Sequence, residues 1–381
     1  MPSKKASDRK ILVVARWPLG GIRTYMRYTF SHFPSDFYIK ILAASTQEDR
    51  AIESDVLKYK AKLNLVTIKT GSDFPVAVFK ELRNDSYDLV ISQGFVSAVA
   101  VYIANIIFGV PHILTIHGIV EPKYFNGYFG FCKKLFLEFV LSRITVLYGV
   151  SKDILEHLYH EYPRLRHNGP QPLVILNGIE LTTLDLEEAP KRCLRIELGI
   201  EESTFIFGFF GRFMPQKGFD LLIDAVLTLR NENPLVNLAV VAVGSGDYIR
   251  EYQACVNRKQ LDSYFHFLPF QQLVHSLYVQ VDAVVMPSRW EACPLLPMEV
   301  LCMGTPLIAS NCIGLRETIA DSPTLVFENE DLGQLVERMR DSLTDNKLKS
   351  FVEFRQVARR RFDVTRSACE LANFMEKLLE C

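Results

Sequence analysis

With 381 residues, 49% of them hydrophobic and 23% charged, the chain has the make-up of a globular protein with two domains, each long enough to bury its own core. Its eight cysteines, at 132, 193, 255, 293, 302, 312, 369 and 381, form no C-x-x-C pair, which argues against a zinc or redox motif and for reduced thiols in a cytoplasmic protein. Net charge is −1, yet residues 1–180 hold 22 Lys and Arg against 16 Asp and Glu while residues 181–381 hold 21 against 28, so the basic first half is expected to face an anionic partner.

Met1–Lys10 is polar and basic, and the apolar run Ile11–Ala15 is too short for a secretory signal or a membrane span. A strand is predicted there, followed by Gly20-Gly21, which suits a tight turn or a loop that a ligand can approach closely. Strands follow at 39–43, 64–68, 88–92, 112–116 and 145–149. The strand at 112–116 ends in His117, either a hydrogen-bonded structural group or one that meets a ligand. Lys123–Val140 is dense in aromatic residues with lysines interleaved. It suits a membrane interface, with rings down and lysines on lipid phosphates, or a core helix packed on the first sheet. Asn177-Gly178 is a strong turn pair that alone reads as a hairpin, and the acidic stretch 181–190 reads as a linker.

The second half repeats the alternation, with strands at 205–210, 237–243, 264–268, 283–286, 306–309 and 324–327. Phe205–Phe210 runs into Gly211-Arg212 and then Lys217-Gly218 before a helix at 221–230, so Arg212 and Lys217 place two cations at the mouth of a sheet. That suits a diphosphate, which Arg grips as a fork and Lys as a point charge. Ala283–Met286 feeds a turn carrying Glu291, then a helix at about 296–303 with Pro297 expected at its first position and Glu299 in its first turn. The amides of Cys293, Leu295 and Leu296 are expected to point into one small space suited to a phosphate, with the two carboxylates accepting from sugar hydroxyls. Gly244-Ser245-Gly246 begins like a dinucleotide fingerprint, but Ile249 stands where its third glycine belongs, and Lys217-Gly218 lacks the Ser or Thr of a P-loop. A last helix is expected at 364–379.

The stretch Asp282–Ser310, with its apolar strand, Pro287-Ser288, Glu291, Glu299 and Gly304-Thr305-Pro306, resembles the donor-binding signature of the retaining glycosyltransferases of family 4. The departure is Ala292-Cys293-Pro294, where that family has Gly-Phe-Gly; Pro294 has no N–H to offer a phosphate. Gly211-Arg212 with Lys217-Gly218 resembles a second family element at the same spacing. Gly20-Gly21, His117-Gly118, Gly149-Val150-Ser151, Val174–Glu180 and Gly314–Glu317 are supporting matches in the family's order.

The resemblance implies an α/β protein of the GT-B kind: two Rossmann-like domains facing across a cleft, with a C-terminal helix crossing back to the first. It divides the chain into an acceptor-binding domain at 1–185, a nucleotide-sugar domain at 186–362 and a closing helix at 363–381. It implies a hexosyltransferase that retains anomeric configuration and uses a UDP- or GDP-sugar, with no cofactor and no metal. Arg212 and Lys217 would hold the diphosphate, Glu291 the sugar, Glu299 the ribose, and His117 and the Gly20-Gly21 loop would close over the transferring sugar. The acceptor would be a glycan or lipid-linked molecule of bacterial surface polysaccharide or lipopolysaccharide assembly, met at the inner face of the membrane, with no role for nucleic acid. A sugar-nucleotide epimerase or a catalytically silent subunit on the same scaffold is the alternative.

Overall fold

The computed structural model describes residues 9–46, 49–58, 61–185, 193–271, 274–344 and 348–380. The chain divides into two units, one of residues 1–178 with 364–381 and the other of residues 179–363.

In the first unit, β1 (Arg9–Ala15), β2 (Phe37–Ala44), β3 (Lys62–Val66), β4 (Leu89–Gln93), β5 (His112–Ile116), β6 (Val146–Gly149) and β7 (Gln171–Val174) form one sheet. Their order is β3-β2-β1-β4-β5-β6-β7, every pair parallel. The inner strands are apolar nearly throughout and buried, as strands covered by helices on both faces must be. The edge strands β3 and β7 are more exposed, and β7 tolerates Pro172 because an edge need not donate every ladder bond. The helix Val364–Glu380 belongs to this unit. It buries Val364, Ala368, Leu371, Ala372 and Met375, one face at helical spacing, and packs on the helix Gly21–Ser31. Arg9 bridges it to β1, donating to Glu376 at 2.9 Å and Asp36 at 2.6 Å.

In the second unit, β8 (Phe205–Phe210), β9 (Leu238–Val243), β10 (Phe265–Leu268), β11 (Ala283–Met286), β12 (Leu307–Ser310) and β13 (Leu325–Phe327) run in the order β10-β9-β8-β11-β12-β13, again all parallel. Phe219, first residue of the helix Phe219–Glu232, is fully buried with its ring 4.7 Å from Phe209 and 5.1 Å from Phe213. Such aromatic packing fixes where the helix starts, and with it the residues just before.

The α/β alternation read from the sequence is therefore present, as two parallel sheets. In each, the strand order reverses once, between β1 and β4 and between β8 and β11. Loops leaving the carboxyl ends of strands at such a reversal are where α/β sheets take ligands.

Three expectations are corrected. Asn177-Gly178 is not a hairpin. A Cβ on Gly178 would lie 2.4 Å from the Cα of Val364, so the glycine is there for close approach of two segments. Ile179 then makes an isolated parallel bridge with Asp363. Lys123–Val140 is not a core helix: a short 3-10 turn (Pro122–Phe125) precedes the helix Gly130–Leu141, which buries only Gly130, Val140 and Leu141. Of the linker read at 181–190, Leu181–Leu184 is a 3-10 turn that buries Leu184, and residues 186–190 lie outside the described residues.

Candidate functional site

The second unit carries its predicted site residues on the loops after β8 and β11 and on the helix Leu295–Met303 that follows the second loop. Gly218 has φ 65°, and a Cβ there would lie 1.9 Å from the carbonyl oxygen of Pro287. Only glycine lets the turn Pro215–Lys217 press on the loop that follows β11. The result is a direct ion pair, Lys217 Nζ donating to Glu291 Oε1 at 2.6 Å, with the Glu291 side chain 7% exposed and that of Lys217 23%. Ser288 Oγ donates to the same oxygen at 2.6 Å. Ser288 is itself held from β12, its carbonyl accepting from Ser310 Oγ. The Glu291 amide donates to Ile313 at 2.9 Å. Both side-chain bonds fall on Oε1, and among the described residues Oε2 has no hydrogen bond.

A second clamp steadies this corner and had no role in the sequence reading. Arg289 forks Asp220, with contacts of 3.0 and 2.6 Å, and also donates to Glu330 at 2.9 Å and to the carbonyl of Pro215. Its hydrogen bonds to Asp220 raise its pKa above the ordinary arginine value despite partial burial. Burial pushes the Asp220 carboxyl up, but the bonds and charge of Arg289 outweigh it and leave it below the usual range. The fork ties the start of the Phe219 helix to both loops that carry Lys217 and Glu291.

Glu299 sits apart from that pair. The helix runs Leu295–Met303 with Pro294 as its cap residue, so Pro297 is third and not first, and no acid lies in the first turn. Glu299, one turn in, is away from the positive end of the dipole. Side chains hold it instead: Tyr278 OH donates to Oε2 at 2.8 Å, and His275 Nε2 lies 3.5 Å from Oε1. Tyr278 is buried, its ring 4.8 Å from that of Phe210 at the end of β8. Pro294 gives the helix no side-chain cap, and the amides of Leu295 and Leu296 have no acceptor among the described residues, so they are open to an anion. Cys293 is buried just before them. Arg212 is exposed and makes no ion pair among the described residues, so the structure joins Lys217 to Glu291 but not Arg212 to either.

In the first unit, Gly20 (φ 52°) caps the helix Gly21–Ser31 at the carboxyl end of β1. Tyr25 on that helix sets its ring edge-on to His117, centroids 4.8 Å apart. His117 Nε2 lies 2.6 Å from Gln93 Oε1 at the end of β4. Gly20, Gly21 and His117 thus share one edge of one sheet. Burial of the ring pushes His117 down to about 3, and His112 likewise. Below about pH 6.5 an unfolded histidine takes up a proton that these refuse, so their stabilising contribution is complete above that pH and is lost as pH falls toward 3. His117→Asn is therefore expected to flatten the fall in melting temperature between about pH 6.5 and pH 4, read by scanning calorimetry of variant and parent.

A cavity of about 550 Å³ lies at the opposite edge of the second sheet, among Arg195, Thr204 and Asp282, and none of the site residues line it. Arg195 is committed there to Asp282 and to the carbonyls of Glu201 and Thr204, which makes that corner a structural lock.

Residues 191–361 match the family model described as glycosyl transferases group 1. Among curated proteins, the chain is 25% identical over 255 residues to the UDP-Gal:alpha-D-GlcNAc-diphosphoundecaprenol alpha-1,3-galactosyltransferase of Escherichia coli, covering 63% of this chain and 62% of that one, less than two thirds of its length. It is 25% identical over 312 residues to the D-inositol 3-phosphate glycosyltransferase of Corynebacterium glutamicum, covering 73% of each. Among solved structures, Anabaena HepE in complex with UDP and glucose superposes with a TM-score of 0.82 at 18% identity, over 97% of this chain and 100% of that one. WaaG, a glycosyltransferase involved in lipopolysaccharide biosynthesis, gives 0.71 at 17% identity over 96% and 99%.

Proposed function

We propose that this GT-B glycosyltransferase, with group 1 sequence over residues 191–361, moves a hexose-type sugar from a nucleotide-diphosphate donor to a glycan or lipid-linked acceptor and retains the anomeric configuration. The observation that carries this reading is the Lys217–Glu291 pair, fixed by Gly218 at the strand reversal of the second sheet. An ammonium and a carboxylate in contact match what a nucleotide sugar presents: a diphosphate that gains charge as its bond to the sugar breaks, and hydroxyls beside it. Lys217, exposed Arg212 and the free amides of Leu295 and Leu296 take the phosphates, with Cys293 in the wall behind them. Glu291 accepts from the sugar through Oε2. Glu299 accepts from the ribose with the lone pairs that Tyr278 and His275 leave open. On the first unit, Gly20, Gly21 and His117 are the residues offered to substrate. The leaving phosphate takes the acceptor's proton, and the two cations do the work of a metal, so activity is expected to persist in EDTA.

A UDP- or GDP-sugar is the donor, in line with the UDP-Gal of the Escherichia coli relative's name and the UDP of the HepE structure. Bacterial surface polysaccharide or lipopolysaccharide assembly is the setting, at the cytoplasmic face of a membrane.

A thermal-shift panel of UDP-glucose, UDP-galactose and GDP-mannose tests the donor, because a ligand at a hundred times its Kd stabilises by about 2.7 kcal/mol. Product analysis with and without acceptor then tests transfer. A folded chain that no nucleotide sugar stabilises, or one that converts the donor with no acceptor present, overturns the reading. Tyr278→Phe removes a hydrogen bond to a carboxylate worth about 1.5 kcal/mol or more, so donor KM is expected to rise roughly ten-fold with kcat nearly unchanged.

A further inference from the structure

The Gly130–Leu141 helix and the loop before it turn most of their aromatic residues outward. Tyr128 is 97% exposed, Phe131 74% and Phe129 66%, and Tyr124, Leu135, Phe136 and Phe139 are exposed too. The neighbouring helix Phe95–Asn105 and the turn after it add Val96, Ile103, Ile106 and Ile107, the last 77% exposed. Positions 96, 103 and 106–107 fall on one stripe of a helix. The two elements meet, Tyr102 lying edge-on to Phe139 with centroids 5.9 Å apart. Eleven large apolar side chains therefore share one side of the first unit, far more than the scattered exposed residues of an ordinary surface.

The charges on this side have one sign in excess. Phe95–Ile107 contains no charged residue. Tyr124–Arg143 contains Lys133, Lys134 and Arg143 against one acid, Glu138, which faces Arg164 at 3.9 Å. Lys133 is exposed with no partner among the described residues, and Arg143 lies over the Phe139 ring at 5.4 Å. Lys134 is committed to Glu161 at 2.9 Å, and Glu121 to Tyr124 at 3.2 Å. No helix among the described residues is long and apolar enough to cross a membrane, so such a surface lies on a bilayer and does not enter it as a span.

We infer that the face built from these two helices docks on an anionic lipid surface, with the Tyr128–Phe131 rings and the Ile103–Ile107 side chains at the acyl boundary and Lys133 and Arg143 on lipid phosphates. Both helices begin at the carboxyl ends of their strands, β4 and β5. The aromatic end of the face is therefore on the sheet edge that carries His117 and Gly20. A lipid-linked acceptor held in that bilayer would present its head group beside them; only this last point rests on the acceptor proposed above.

The test is sedimentation of the full chain with vesicles of phosphatidylcholine, with and without phosphatidylglycerol, in the absence of donor and acceptor. That measures docking apart from transfer, so loss of one leaves the other standing. The chain is expected to pellet with anionic vesicles and to be released by salt. Phe131→Ser with Phe136→Ser is expected to lower the partition coefficient roughly ten-fold. Lys133→Glu should lower it about five-fold or more, on anionic vesicles alone. Because these side chains are exposed, the variants should melt with the parent, which circular dichroism checks. A folded chain that stays in the supernatant overturns the inference. So does one that instead forms dimers which the Phe131→Ser, Phe136→Ser variant dissolves, since the face would then be covered by a second copy.

Discussion

Lys217→Ala is expected to lower kcat/KM by roughly a hundred-fold or more, about 3 kcal/mol of lost transition-state stabilisation. The ammonium is placed by the Gly218 turn and matters most when the diphosphate carries its greatest charge. Removing it has a second effect. Glu291 is buried and, among the described residues, would keep Ser288 alone as a side-chain partner, and a buried carboxylate without a cation is costly. Some loss of melting temperature should accompany the loss of rate. The double variant Lys217→Ala, Glu291→Gln, read against Glu291→Gln alone because Glu291 is itself placed on the sugar, separates the two, since a neutral amide beside Ser288 needs no cation. It should regain melting temperature and stay slower than Glu291→Gln. Near-parental turnover in Lys217→Ala would remove Lys217 from the diphosphate site. A double variant as fast as Glu291→Gln would show that Lys217 serves the fold and not the reaction.

Gly218→Ala should destabilise the second unit by about 3 kcal/mol or more, and in a unit of this size lower its melting temperature by roughly 6–12 °C. The left-handed backbone alone costs an alanine about 1–2 kcal/mol. The rest comes from a Cβ placed 1.9 Å from the Pro287 carbonyl, a backbone atom that moves only if its loop does. That movement would also part Lys217 from Glu291, so donor binding should fall with stability. Gly71→Ala is the control: a Cβ there meets nothing within 4 Å. Equal melting of the Gly218 and Gly71 variants would mean that the turn does not press on the loop after β11.

The sheets were legible because buried parallel strands are apolar almost end to end, as in Ile11–Ala15 and Leu238–Val243. β7 was not, because Gln171-Pro172-Leu173-Val174 is short, holds a proline and is half solvated at an edge. In the site, Lys217 and Glu291 stood out by spacing and by resemblance, but nothing local says that they touch. Their contact depends on one glycine meeting a carbonyl 69 positions further on. Arg289 and Asp220 are also 69 positions apart. Tyr278 stands 21 residues before the glutamate it holds, in a segment with no motif. The helix starts at Leu295, two residues before the Pro297 expected to open it, because Pro294 takes the cap, and that shift moved Glu299 out of the first turn. The rings of 124–139 were ambiguous for a different reason: apolar side chains suit a core and an outward face equally, and only packing decides.

The helix Val364–Glu380 completes the unit that contains β1. On the ribosome the unit that holds β1 is consequently completed only after residues 179–363 have been made. Until residues 364–380 emerge, the partner face of Gly21–Ser31 stays bare, and Arg9 has no Glu376 to meet. The later-synthesised unit, continuous from residue 179 to 363, can close before the earlier one. A chain cut after residue 363 would keep the continuous unit and leave the other without the helix that covers Gly21–Ser31.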